Sequence, residues 1–144
     1  MGHRRRAREC ALQLLFQMDL TGGSSAEVFA EFWRSQPAAD EIRAFAERLV
    51  AGVSSHRRGL DRILTGTSQH WRVERMAVVD RNVLRMAIFE LVFEGETPPA
   101  VIIDEAIEVA KRFGGGESGA FINGVLDAVR LAIERGEVEA PPPD

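Results

Sequence analysis

Cross-linking sulfur is almost missing from this 144-residue sequence, which has one cysteine, Cys10. A single thiol excludes any disulfide within the chain and suits a reducing compartment, so a cytoplasmic protein is expected. Long apolar runs are missing too. No stretch reaches the roughly 18–20 residues that span a bilayer. The arginine-rich start is interrupted by Gln13, Gln17 and Asp19, so it reads as an amphipathic helix and lacks the continuous apolar stretch of a signal peptide. No membrane partner is expected. His3, His56 and His70 are scattered, and none stands at metal-ligand spacing from another histidine or from Cys10. There is no nucleophile elbow and no Ser/His/Asp pattern. Carboxylates are plentiful, but they fall on the outer faces of helical segments, where a charge run usually means solvation. Together these absences set the expectation of a protein that is not an enzyme and uses no cofactor or metal. Strand-period alternation and internal repeats are also lacking.

What remains is helix. The length is about that of one domain, and 45% hydrophobic with 28% charged residues is the make-up of an ordinary globular protein. A domain of this size buries roughly two-thirds of its unfolded surface and needs no staple to fold. Apolar residues recur at i, i+3 and i+4 from about Arg4 to Leu20 (Ala7, Cys10, Ala11, Leu14, Leu15, Met18), and Gly22-Gly23 stops the run. A second helix is expected from Ser25 to about Arg34, and a third from Asp40. Gly52 and Gly59 predict a break near Ser55–Gly59, followed by a short helix holding Leu60, Ile63 and Leu64. Residues 65–79 read as connector, with Trp71 plugging the gap beneath it. Asp80 is the expected N-cap of a helix to about Phe93 that is apolar nearly all round, as a buried central helix would be. Thr97 is the expected N-cap of the next, with Pro98 at its first position and Gly114 after its end. The last helix runs from about Ser118 to Arg135. The expected fold is all-α, with about seven helices over residues 1–136 and a disordered, acidic, proline-rich tail over 137–144.

Three features invite a functional reading, each beside a plainer one. Net charge is −4, yet Arg4, Arg5, Arg6 and Arg8 crowd together before the first acid, Glu9, and a second basic cluster stands at His56-Arg57-Arg58. Cations in the first turn oppose the helix dipole, so the arrangement makes sense if an anion such as RNA phosphate completes it; otherwise it is a solvated, fraying terminus. Phe16 lies opposite the core stripe of its helix with Leu12 beside it, and either packs under a neighbouring helix or marks a partner surface. Gly114-Gly115-Gly116-Glu117-Ser118-Gly119 matches G-x-G-x-x-G, but a helix precedes it where a dinucleotide fold needs a strand. It is either a flexible connection or a place where backbone approaches a nucleic acid closely. Phe121, in the turn that follows, points to the core by periodicity and sits where an aromatic ring can stack on an unpaired base. Asn123 falls on the outer side of the same helix.

Four segments in order carry a resemblance. Arg4-Arg5-Arg6-Ala7-Arg8-Glu9-Cys10-Ala11-Leu12-Gln13, the helix Asp80–Leu91, the helix Val101–Gly114 and Phe121-Ile122-Asn123-Gly124-Val125-Leu126-Asp127 together resemble the NusB family over essentially residues 3–135. The resemblance implies two packed helical subdomains and a transcription antitermination factor. It implies binding to boxA, a short single-stranded RNA element of ribosomal RNA leaders, together with a small-subunit ribosomal protein (NusE in this role), within the antitermination complex on RNA polymerase. Carried over by motif, RNA contact falls on Arg4, Arg5, Arg6, Arg8, Glu117 and Phe121, and the protein-partner face on Leu12, Phe16 and Asp80. Rival readings are a generic helical RNA-binding module of the kind attached to ribosomal RNA methyltransferases, a scaffold that binds only protein, and a homodimer that hides the arginine arm.

Overall fold

A computed structural model describes residues 2–23, 25–68 and 72–144, with the backbone alone at Ser25. Seven α-helices follow one another among the described residues: α1 (Gly2–Thr21), α2 (Ser25–Ser35), α3 (Asp40–Ser55), α4 (Arg57–Thr67), α5 (Val78–Phe93), α6 (Pro99–Phe113) and α7 (Ser118–Glu134). A single 3-10 turn, Val73–Arg75, precedes α5. Among the described residues, no helix is long and apolar enough to cross a membrane.

α1 buries the stripe its spacing announces (Ala7, Cys10, Ala11, Leu14, Leu15), and Gly22 closes it in the left-handed region at φ 66°. α1 packs mainly on α3, and α6 on α7. α5 stands between these two halves and touches α1, α3, α4, α6 and α7. That position explains why every residue from Asn82 to Glu90 is buried. The α3–α5 crossing depends on Gly52, since a Cβ there would lie 2.1 Å from the ring of Phe89. Gly52, read from sequence as a weak point, is where α3 makes room for the ring of Phe89 on α5.

Several boundaries differ from expectation. α4 extends to Thr67, so the connector is shorter than 65–79. Trp71, its expected plug, and His70 lie outside the described residues. Asp80 is not the N-cap of α5. Ala77 holds that position and its carbonyl already accepts from the Arg81 N–H at 3.0 Å, which places Asp80 inside the first turn, where its charge suits the dipole. α6 starts one residue late, with Pro98 at the cap and Pro99 first in the helix. The reason is Pro99 itself: a residue before proline is kept extended, and Pro98 has ψ 140°.

The tail is not free. The Asp144 N–H donates to Ser55 O at 2.7 Å, and the Arg58 N–H donates to the Asp144 carboxylate at 3.1 and 3.3 Å. A distant side chain thus caps α4, whose own cap residue, His56, offers no side-chain bond. Pro141 fills the notch over Gly59, where a Cβ would lie 2.2 Å from the proline ring. Three prolines stiffen the segment and reduce the entropy lost on docking.

Candidate nucleic-acid interface

α1 and α6 run side by side in the same direction. Arg5 meets Glu105, and four residues on Glu9 meets Arg112 seven residues further along. The four arm arginines have different fates. Arg4 is exposed and lies over the ring of Phe45 at 4.1 Å. Arg5 donates through Nε and Nη2 to the two carboxylate oxygens of Glu105, at 3.0 and 2.7 Å. Arg6 donates to Gln36, which in turn donates to Gln13. Arg8 is 3% exposed and donates to both oxygens of Glu90 at 2.8 and 2.7 Å. Arg8, expected as a surface contact, is instead buried: its guanidinium joins α1 to α5.

The arm polarises its acids. The hydrogen bond from Arg5 holds the Glu105 carboxyl below the usual glutamate range, burial opposes this, and the charges of Arg5 and Arg8 reinforce it. The same pairing raises the Arg5 guanidinium. Cys10, one turn further in, has its thiol pushed up by burial, which makes it an inert core residue.

Two turns of α6 separate Glu105 from the glycine loop, about 12 Å at 1.5 Å per residue. Ser118 ties that loop down: its Oγ accepts from the Gly115 N–H at 3.0 Å. Glu117 is exposed at the cap of α7, and its carbonyl accepts from the Phe121 N–H at 3.2 Å. Phe121 is half-buried and packs against the core, so part of its ring is anchored and part faces outward. Residues 117–120 carry no basic side chain, but α6 supplies one. The stem of Lys111 lies over Gly119, where a Cβ would sit 3.3 Å from its Cγ and Cε. Arg112 stands beside it, mostly exposed, bonded to Glu9 and 5.2 Å from the Phe113 ring centre. Lys111 and Arg112 also complement the dipole in the last turn of α6; neither stood among the expected site residues, and the proximity of Lys111 to Gly119, eight residues on across the loop, was the missed signal.

A second site opens on the other side of α1. A cleft of about 570 Å³ lies between α1 and α2, with Phe16, Leu20, Phe32, Val79 and Phe113 among its lining residues. Phe16 is half-buried at its wall and Leu20 is 66% exposed. Leu12 is 2% exposed and forms the floor, which corrects it from a surface contact to support. Next to Val79, the Asp80 Oδ1 and Arg81 Nε are buried without a hydrogen-bond partner. Below them Asp19 binds together α1, α4 and α5: it accepts from Asn82 at 3.0 Å and pairs with Arg57, Arg81 and Arg85 at 3.2, 3.5 and 3.8 Å. Burial pushes the Asp19 carboxyl up, but the Asn82 bond and the three guanidiniums outweigh it and hold the group below the usual aspartate range.

A family model, the NusB family, matches residues 5–130. The chain belongs to the NusB family. Similar relatives are the transcription antitermination protein NusB of Sorangium cellulosum, 50% identical over 96% of this chain and 98% of that protein, and that of Geobacter sulfurreducens, 48% identical over 92% and 97%. Among solved structures, T. maritima NusB has a TM-score of 0.83 at 34% identity, covering 94% of this chain and 97% of that one. A crystal structure of the antitermination factors NusB and NusE in complex with dsRNA has a TM-score of 0.82 at 28% identity, covering 92% and 98%. These NusB structures share the two-part helical architecture described above. Arg5, Arg6 and Arg8 of the arm and the Phe121 turn fall within the matched region, whereas Arg4 and the docked tail lie outside it.

Proposed function

We propose that this protein is a transcription antitermination factor that binds RNA jointly with the ribosomal protein NusE and performs no catalysis. Its RNA is a short single-stranded element of the boxA kind in ribosomal RNA leaders, read in the cytoplasm as the transcript leaves RNA polymerase. The carrying observation is a continuous strip along α6: exposed guanidiniums at the start of α1, Lys111 and Arg112 in the last turn of α6, and the half-exposed ring of Phe121 beyond. Cations spaced along such a strip suit successive phosphates, and an aromatic at its end suits an unstacked base. Arg4, Arg5 and Arg6 are the arm's contacts, with Arg8 holding the helix that presents them. Glu117, exposed beside Phe121, faces the base rather than the backbone. The relative solved with NusE and RNA supports the pairing of partners.

NusE takes the cleft around Phe16. Exposed Leu20 and the half-buried ring give an apolar anchor, and Asp80, half-buried next to the lining residue Val79, supplies an acid beside it.

Fluorescence anisotropy of a boxA-type RNA, with and without NusE and against a scrambled RNA, tests this reading. Sequence-dependent binding that tightens with NusE and weakens steeply with salt is expected. Equal, weak binding to both RNAs, unmoved by NusE, would reduce the protein to a generic RNA-binding module. Binding to NusE alone, insensitive to salt, would make it a protein scaffold.

A further inference from the structure

A cleft of about 330 Å³ lies between the first turns of α1 and the first half of α6, walled by Arg4, Arg5, Arg8, Glu105, Thr97 and Val101. It holds three guanidiniums and one carboxylate. Two of the guanidiniums are committed: Arg8 to Glu90 by two short hydrogen bonds, Arg4 to the face of Phe45. Arg5 is different, because nearly half of its side chain is exposed while the Glu105 side chain it grips is only 19% exposed. The fork of Arg5 fits a carboxylate and a phosphate in the same way, by two parallel N–H···O bonds.

We infer that Glu105 is an internal stand-in for an RNA phosphate, occupying Arg5 in the free protein and giving it up when the backbone of the RNA arrives. The inference rests on the arm being the RNA contact and adds to that reading the residue that limits its affinity. The exchange is feasible because Glu105 is not isolated by it: Arg8 Nη1 lies 3.9 Å from its carboxylate and stays near it when Arg5 leaves. Arg5 holds the Glu105 carboxyl below the usual glutamate range, so the occupant it grips is a charged carboxylate. Glu108, one turn further along α6, acts on Arg5 only through space and pairs with Lys111 at 3.6 Å.

The test is a titration of boxA-type RNA into the full chain with NusE, comparing the unmodified protein with Glu105→Gln, Arg5→Gln, the double variant and Glu108→Gln. Glu105→Gln is expected to bind about two- to fivefold tighter at low salt, the scale of one exposed ion pair removed. Its log–log salt slope should steepen by about 0.7, one more single-strand phosphate engaged. The gain should vanish in the Arg5→Gln background and be smaller in Glu108→Gln. An unchanged or weaker Glu105→Gln, with Arg5→Gln still weakening RNA binding, overturns the inference and leaves the arm reading standing. An equal gain from Glu108→Gln also overturns it, because general charge removal would then suffice. Loss of any Arg5→Gln effect overturns the arm reading and the inference together. In the unmodified protein, the Glu105 carboxylate ¹³C resonance should shift on addition of RNA; a resonance that does not move contradicts the exchange without recourse to a variant.

Discussion

Arg5 and Arg8 stand one turn apart on α1, and each holds a glutamate by two hydrogen bonds between 2.7 and 3.0 Å. The chemistry is the same and the consequences are opposite. The Arg8–Glu90 pair has 4% and 2% side-chain exposure, whereas Arg5–Glu105 has 47% and 19%. In a buried pair each charge depends on the other, since neither can be returned to water cheaply. In an exposed pair water screens the attraction and offers a substitute, so either partner can be exchanged. Geometry alone does not distinguish structural from functional arginines on this helix. Burial does.

Five variants break or sharpen that contrast. Glu90→Ala strands the Arg8 charge between α1 and α5 and should cost about 3–5 kcal/mol in urea unfolding, while Glu105→Gln, which removes a partly exposed pair, should lower the midpoint far less; equal effects would erase the distinction. Gly52→Ala drives a methyl into the ring of Phe89, the neighbour of Glu90 on α5, and should cost about 1–3 kcal/mol by overpacking. A neutral result there would mean the α3–α5 crossing yields, and with it the frame that holds Glu90. Phe16→Asp tests the other face: NusE affinity should drop about tenfold or more, as for an interface anchor, with unfolding little changed. Loss of folding instead would make Phe16 a core residue. The smallest effect concerns acid. Asp19 and Glu105 both titrate below their unfolded values, so each contributes stability that is complete above the ordinary carboxylate range and is lost as pH falls through the lower folded value. Asp19→Asn should flatten that acid limb; an unaltered limb would show that other carboxylates control it.

Much of the architecture was legible from periodicity and punctuation. The break between α3 and α4 followed from glycine spacing, and the buried centre from a helix that is apolar nearly all round over Val83–Phe93, Arg85 and Glu90 apart. Helix starts were less legible because neighbouring prolines and an unmarked Ala77 decide them, not the residues with capping side chains. The arm was visible as charge, but its division was not, since the partner of Arg8 lies 82 residues away and that of Arg5 lies 100 away. Nothing local separates them. The contacts of the tail, expected to be disordered, were hidden for the same reason: they depend on Asp144 reaching the start of α4 and on a missing side chain at Gly59. Likewise Lys111 borders the loop before Phe121 only because Gly119 makes room for its stem.

The most direct test of the account sets Arg5→Gln against Arg8→Gln, measuring RNA affinity in the presence of NusE together with urea unfolding of each variant. Arg5→Gln is expected to weaken RNA binding and leave unfolding unchanged, and Arg8→Gln to lower the unfolding midpoint while the fraction still folded binds RNA as before. The reverse pattern, with Arg8→Gln fully folded and deficient in RNA binding, would contradict the assignment of the arm.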